Sequence, residues 1–236
     1  VTEAAPIVYE CDQGGDLWHS LRCGAITASM FAEARARLKT GKDKGKPTQA
    51  ARDYAFRLAI ERISGDPLDE GFQTYQMRRG NELEPAAREL HGFAYGLDID
   101  HAGFVLTADR RFGASADGLI GDDGGSEYKC FVSPEKLRPI LLENDTSSVV
   151  DQVQGCMWIT GRSWWHFALY CPALEPIGRE LTVIPMERDD EHIEAMEADL
   201  LAFDRLVQEY EDTLRQTPET VPGLDYLSTG IQREAS

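Results

Sequence analysis

One stretch limits this chain more than any other: Ala114-Ser-Ala-Asp-Gly-Leu-Ile-Gly-Asp-Asp-Gly-Gly-Ser-Glu-Tyr-Lys-Cys130. It sets Asp117 ten residues before the triplet Glu127 to Lys129. Asp122 to Gly125 between them reads as a turn. The flanks, Phe112 to Ser115 and Ser126 to Phe131, read as the short strands of a hairpin. Side chains alternate along a strand, so Glu127 and Lys129 share a face. Asp117, across the hairpin, can meet that face. Two carboxylates and an ammonium then converge on one point. Hard carboxylate oxygens suit Mg²⁺ or Mn²⁺, which take one or two of them with water and phosphate. A lysine beside such an ion can orient or deprotonate its water, which is the equipment for hydrolysing a phosphodiester. The plainer alternative is an Asp-Gly turn beside a solvated Glu-x-Lys ion pair of little energetic worth.

The rest of the pattern alternates helices and strands. A helix is predicted over 49–63 with Ala51, Tyr54, Leu58 and Ala59 on one stripe, stopped by Gly65-Asp-Pro67. A second runs from Asn81 to His91 with Leu83, Ala86, Ala87 and Leu90 on its apolar side and Gly92 past its end. Gly103 to Thr107, Ser163 to Cys171 and Glu180 to Met186 read as strands. Pro134 opens a helix toward Leu142, within which Pro139 is a residue type that breaks helices. Residues 148–160 read as another helix. Ile193, Met196, Leu200, Phe203, Val207, Tyr210 and Leu214 then recur at alternating spacings of three and four, an apolar seam on a long helix with an acidic outer face. That seam either caps its own core or meets a subunit or partner. The reading is one α/β domain over residues 1–217 with a loosely ordered tail, 218–236.

The formal net charge of −17 looks wrong for a protein that holds DNA, so its distribution matters. Residues 187–219 carry twelve acids against three Lys/Arg, a net of −9. Residues 35–52 carry seven Lys/Arg, Lys42, Lys44 and Lys46 among them, against Asp43 alone, a net of +6. A polyanion responds to local potential, so the basic end can face phosphate while the acidic end faces solvent or a partner. The alternative is a solvated basic loop. No run of about 18 apolar residues offers a membrane span. The first residues lack a basic and an apolar signal region, so no secretory signal is expected. Five cysteines, with no CxxC pair, argue against a disulfide framework or zinc ribbon and for a reducing cytosol.

Four further segments carry polar groups of interest. Trp18-His-Ser-Leu-Arg-Cys-Gly-Ala-Ile-Thr-Ala-Ser29 has Arg22 near a helix start at Thr27 to Ser29. A helix start can bind an anion through backbone N–H groups, and an arginine forks onto phosphate. Read plainly, it is an N-cap and a surface arginine. Glu84 in Gly80-Asn-Glu-Leu-Glu84 is either a ligand or simple dipole complementation. Gln154 in Asp151-Gln-Val-Gln154 is either a site amide or a core-edge one. Ser115, two residues before Asp117, is otherwise a strand hydroxyl.

In order and approximate spacing, these segments resemble the phage lambda exonuclease family, the YqaJ-like viral recombinase alkaline exonucleases. The carriers are Trp18-His-x-Leu-Arg22-x-Gly24 with Ile26-Thr-Ala-Ser29, Gly80-x-x-x-Glu84, Ser115-x-Asp117-Gly-Leu119, Glu127-x-Lys129-Cys130, and Gln152-Val-Gln154 with Met157-Trp158. The resemblance spans residues 18 to about 215. It implies a restriction-endonuclease-like nuclease core, a mixed central sheet flanked by helices. It implies Mg²⁺- or Mn²⁺-dependent 5′-to-3′ digestion of one strand of linear double-stranded DNA, releasing mononucleotides and leaving a 3′ overhang. It further implies two ions per site, a single-strand annealing recombinase as partner, a homotrimeric ring, and the cytoplasm of a bacterium or phage-infected cell. By position, Asp117 and Glu127 look like metal ligands, with Glu84 a further carboxylate and the backbone carbonyl of Tyr128 another ligand. Lys129 looks poised over the attacking water, and Gln154 resembles the glutamine of the active centre. Arg22, Ser29 and Ser115 look like a pocket for a 5′-phosphate. Met77 falls where the family carries an apolar wedge at the strand junction, although Gln76-Met-Arg-Arg79 departs from the family pattern. The loop 39–48 departs from it too, so Lys42, Lys44 and Lys46 reach DNA on the charge argument alone. A restriction-type or branched-DNA endonuclease with the same core, and a non-catalytic DNA-end-binding module, stand as alternatives.

Overall fold

The computed structural model describes residues 5–68, 75–131 and 133–216, with backbone only at 75–77. In chain order the elements are β1 (Ile7–Tyr9), α1 (Asp16–Arg22), β2 (Ile26–Thr27), a 3₁₀ turn (Ala28–Met30), α2 (Phe31–Arg35), α3 (Gln49–Ser64), α4 (Tyr75–Tyr95), β3 (Ile99–Asp100), β4 (Phe104–Leu106), β5 (Phe112–Ala114), β6 (Gly118–Ile120), β7 (Gly124–Lys129), α5 (Pro134–Glu143), α6 (Val150–Thr160), β8 (Trp164–Tyr170), a 3₁₀ stretch (Pro172–Ile177), β9 (Leu181–Glu187) and α7 (Asp190–Arg215). Two sheets form. One has the order β1-β4-β5-β2 and the other β3-β6-β7-β8-β9. Each is mixed: β2 runs parallel to β5 and β7 parallel to β8, the other pairs being antiparallel.

The expected hairpin exists, but with a different first strand. β7 pairs with β6, not with Phe112–Ala114, which lies between β4 and β2 in the other sheet. Asp117 therefore sits where the chain crosses from one sheet to the next. Gly124 and Gly125 belong to β7 rather than to the turn. Their role is close approach: a Cβ on Gly124 would come within 2.1 Å of the Trp164 ring, and one on Gly125 within 2.4 Å of Trp165. Tandem tryptophans on β8 thus dictate tandem glycines on β7 and set the β7–β8 register.

The helices follow local rules. Thr48 caps α3, its hydroxyl accepting from the Ala51 amide at 3.1 Å, and Asp189 caps α7 by accepting from His192 N at 2.9 Å. Acidic Asp190 and Glu191 in the first turn of α7 and Arg215 in its last suit the helix dipole. Ile193, Met196, Leu200, Phe203 and Val207 are buried in the same cluster as Ala51, Tyr54 and Leu58 of α3, so the seam closes this chain's own core. Five such side chains contribute roughly 10 kcal/mol before entropy is charged against them. Tyr54 stacks on Phe203 at 5.4 Å. The seam runs out at Leu214, which is exposed.

α4 and α5 differ from expectation. α4 begins earlier than Asn81 and continues through Gly92 to Tyr95, passing Pro85. Its sheet-facing side is marked by Glu84, Ala87, Arg88 and His91, whereas Ala86 is exposed and Leu83 and Leu90 are only half-buried. α5 runs through Pro139 to Glu143. No helix among the described residues is long and apolar enough to cross a membrane. All five cysteines are free thiols. Residues 218–236 lie outside the described residues.

Candidate active site

A cleft of about 900 Å³ opens where α1, α3, α4 and the C-terminal end of β7 meet. Asp117, Glu127, Lys129 and Glu84 all line it. β7 supplies Glu127 and Lys129 on one face, as strand alternation requires, with Lys129 Nζ donating to Glu127 Oε1 at 2.5 Å. Asp117 reaches the same strand from the crossover: its Oδ2 accepts from the Tyr128 backbone N at 2.7 Å, and its own N donates to Ser126 O. The Tyr128 side chain turns to the opposite face and meets His91 Nδ1 at 2.9 Å. Only the Tyr128 backbone therefore faces the carboxylates.

Electrostatics mark these groups as a strained cluster. Burial, then the neighbouring Asp117 charge, pushes the Glu127 carboxyl up to about 8. The same two causes push Glu84 up to about 7, against the pull of Arg88. Burial also raises Asp117. Burial alone would depress the Lys129 ammonium, but the charges of Glu127 and Asp117 outweigh it and hold it above its ordinary value. Lys129 is thus an ammonium that donates hydrogen bonds in this arrangement. Glu127 Oε2 is buried with no hydrogen-bond partner. A buried, unpartnered carboxylate oxygen among further carboxylates is what a divalent cation would satisfy. Among the described residues, no three His, Cys, Asp or Glu side chains are placed to hold an ion by themselves. The donor set that fits is instead a pair of carboxylates with a backbone carbonyl and water, which is ordinary for Mg²⁺.

The glutamine at the site is Gln152, not Gln154. Gln152 Nε2 donates to Glu127 Oε1 at 2.6 Å and the side chain lines the cleft. Gln154, expected at the active centre, is buried elsewhere: its Nε2 donates to Glu187 O at 2.8 Å and its Oε1 accepts from Asp189 N at 2.9 Å. Its amide joins β9 to α7. Two residues along a helix rotate a side chain by about 200°, so only one glutamine of Gln152-Val-Gln154 can face the cleft.

Arg22, Ser29 and Ser115 are brought together by two intermediaries. Trp18 Nε1 donates to Ser115 Oγ at 3.1 Å, and the Arg22 guanidinium lies over the Trp18 ring at 4.1 Å. Arg22 Nη2 donates to Thr27 Oγ1 at 3.4 Å, and Thr27 Oγ1 meets Ser29 Oγ at 3.3 Å. This string runs along the cleft wall, and α3 fixes it from behind. Glu61 Oε2 accepts from Gly24 N at 2.9 Å, and Arg62 Nε donates to Gly24 O at 2.8 Å. Gly24 has φ +70, and a Cβ there would strike Arg62 at 2.7 Å. The expected helix start at Thr27 is one 3₁₀ turn, and the Thr27 side chain does not cap it.

Other expected contacts fall away from the cleft. Lys42, Lys44 and Lys46 sit on an exposed loop closed by Leu38 and Lys46, and none lines the cleft. Lys46 pairs with Asp43 at 2.7 Å. Arg35, counted in the basic segment, is committed to Asp151 and to Asp199, so the local positive charge is smaller than +6 implies. Met77 lies on α4, and its side chain is outside the described residues. Sequence reasoning missed Gln152 as the site amide, Arg88 beside Glu84, and the Glu61–Arg62 grip on Gly24. For Arg88 the signal was present as an i,i+4 pair with Glu84.

Residues 17–163 match the model of the YqaJ-like viral recombinase domain. The fold is similar to that of an alkaline exonuclease (LHK-Exo) from Laribacter hongkongensis, with a TM-score of 0.71 and 28% identity over 85% of this chain and 96% of that one. The same exonuclease in complex with dAMP gives a TM-score of 0.73 at 28% identity over the same shares, 85% and 96%. A phage-related exonuclease from Haemophilus somnus 129PT shares the fold, with a TM-score of 0.61 and 19% identity over 80% of this chain and 94% of that one. No curated protein matches the chain significantly. The architecture is the restriction-endonuclease-like one expected, flanked by helices, with two mixed sheets where one central sheet was expected. The matched span holds the cleft from Trp18 to Gln152, and the chain belongs to the YqaJ-like viral recombinase family.

Proposed function

We propose that this chain is a metal-dependent exonuclease that digests one strand of linear double-stranded DNA in the 5′-to-3′ direction, releases mononucleotides and leaves a 3′ overhang for recombination. The observation that carries the reading is the shared cleft. Its wall joins three carboxylates and a lysine to the Arg22–Ser29–Ser115 string, so a hydrolytic centre and a cationic grip open onto one space. Likeness to an alkaline exonuclease at 28% identity supports the same class of reaction.

Asp117, Glu127 and the Tyr128 carbonyl would hold Mg²⁺ or Mn²⁺, with Glu84 a further carboxylate, and two such ions would supply Lewis acidity and make a water a better nucleophile. Lys129, an ammonium, donates toward the attacking water and the charge that develops on phosphate. Gln152 and Lys129 both hold Glu127 Oε1, leaving Oε2 for the ligand role. Arg22, pinned by Trp18 and Thr27, presents its fork to a terminal 5′-phosphate, and the hydroxyls of Ser29 and Ser115 complete that pocket. One phosphate gripped at the strand end fixes which bond meets the carboxylates, which gives polarity. A trimeric ring around the duplex, with Lys42, Lys44 and Lys46 turned toward it, explains retention on DNA by a protein of net charge −17. A single-strand annealing recombinase takes the exposed strand, and the reaction belongs in the cytoplasm of a bacterium or phage-infected cell.

The test compares linear and covalently closed circular duplex with Mg²⁺ and with chelator. The proposal expects linear DNA alone to be degraded, and only with metal. Cutting of closed circles favours an endonuclease, and binding to ends without hydrolysis favours a non-catalytic module.

A further inference from the structure

Arg88 stands one helical turn after Glu84 on α4 and lines the same cleft as Asp117, Glu127 and Lys129. An i,i+4 Glu–Arg pair on an open helix face is ordinarily a solvated pair of small effect. This one is turned inward, with 22% and 20% of the two side chains exposed. Arg88 Nη2 donates to Glu84 Oε1 at 2.6 Å. Its Nε, by contrast, is buried and has no hydrogen-bond partner. A guanidinium carries five donors in a rigid fork, and a buried donor left unused is rare enough to require a reason. The fork fits the paired oxygens of a carboxylate or a phosphate, and phosphate is what a nuclease cleft must receive. Arg88, Glu84 and Asp117 line one cleft, and the charge of Arg88 is felt at both carboxylates, so the guanidinium lies near the groups beside which the reacting phosphate would sit.

We propose that Arg88 is a phosphate-contacting residue. When a phosphodiester enters beside Asp117 and Glu127, Arg88 takes a non-bridging oxygen, and Glu84, released from the ion pair, turns toward the metal side of the cleft. The Arg88–Glu84 pair is then the resting arrangement of two groups that separate to hold substrate and ion. This inference rests on the nuclease reading above and adds a substrate contact to it.

The experiment uses 5′-phosphorylated linear duplexes carrying a single phosphorothioate, Rp or Sp, at the first scissile position. Turnover with Mg²⁺ is compared for wild type, Arg88→Gln and Arg88→Lys. Mn²⁺ binding to each protein without DNA is measured by calorimetry. Loss of one charge-assisted contact should slow Arg88→Gln on the order of 10- to 100-fold on the all-oxygen duplex. The sulfur penalty for one diastereomer should shrink in that variant, since the contact it weakens is already gone. Arg88→Lys, keeping the charge without the fork, should recover part of the rate. Mn²⁺ affinity should hold or rise, because Glu84 loses a competitor. Unchanged sulfur penalties for both diastereomers would overturn the proposal. So would a fall in Mn²⁺ affinity that matches the loss of turnover, which would make Arg88 a support for Glu84 alone. A wild type that does not cleave the all-oxygen linear duplex sinks the nuclease reading, and this inference with it.

Discussion

Glu127 should cost the metal-free protein stability, and Glu127→Gln should recover it. Burial and the charge of Asp117 lift this carboxyl from 4.5 to about 8. A raised folded-state value means that the associated stability is present in full below about pH 4.5 and is lost as pH rises through 8. Holding this carboxyl that far above its ordinary value costs about 5 kcal/mol once the group is ionised, and about 3 kcal/mol at pH 7. Glutamine keeps the shape and removes the ionisation. Part of the gain is offset because Lys129 loses its nearest anion and keeps only Asp117. A net stabilisation of roughly 1–3 kcal/mol at pH 8 remains, or about 3–10 °C in Tm for a chain of this size. The assay is thermal unfolding in chelator at pH 4.5, 6, 7 and 8, then with Mg²⁺ at pH 8. The two proteins should melt together at pH 4.5 and diverge steadily above it, with Glu127→Gln the more stable. Mg²⁺ should raise the wild type and leave the variant nearly unmoved. A variant less stable than wild type at pH 8, or a gap independent of pH, refutes the reasoning.

Asp117→Ala should abolish cleavage while DNA binding survives, and Lys129→Ala should lower turnover by about 10²–10³ with little effect on binding; single-turnover kinetics beside filter binding read both. Arg22→Ala should reduce the preference for 5′-phosphorylated over 5′-hydroxyl ends by about tenfold or more, since a charge-assisted phosphate contact is worth roughly 1.5–3 kcal/mol; an unchanged ratio removes Arg22 from the pocket. Gln152→Ala should slow turnover at nearly normal stability, whereas Gln154→Ala should cost about 1–3 kcal/mol of stability by orphaning Asp189 N and Glu187 O; melting curves and rates that reverse this order would return Gln154 to the site. Light scattering should give about three times the 26.3 kDa chain mass, and a monomer at working concentration defeats the ring.

The sequence was legible where one rule acted alone. The α7 seam from Ile193 to Val207 and the α3 stripe of Ala51, Tyr54 and Leu58 are buried as their spacing predicts. Glu127 and Lys129 share a face because strand alternation allows nothing else. Legibility failed where function bent the pattern. The inward face of α4 is polar because it borders a cleft, so apolar periodicity selected Leu83, Ala86 and Leu90 in place of Glu84, Arg88 and His91. Gly124 and Gly125 looked like a turn because their partners, Trp164 and Trp165, lie forty residues away and only the fold brings them together. Gln152 and Gln154 were both in view, but choosing between them requires the rotation of α6 against β7. The two-sheet split was hidden for the same reason: strands as short as three residues carry too little pattern to name their neighbours.

The most direct test of the central claim follows one linear duplex with a 5′-phosphate on one strand and a 5′-hydroxyl on the other, the phosphorylated strand labelled in one preparation at its 5′ end and in another at its 3′ end, with Mg²⁺. The account predicts that the 5′ label leaves at once as a mononucleotide while the 3′-labelled strand shortens progressively, the opposite strand surviving as an overhang. Release of the 3′ label first, or of internal fragments from either preparation, would contradict it.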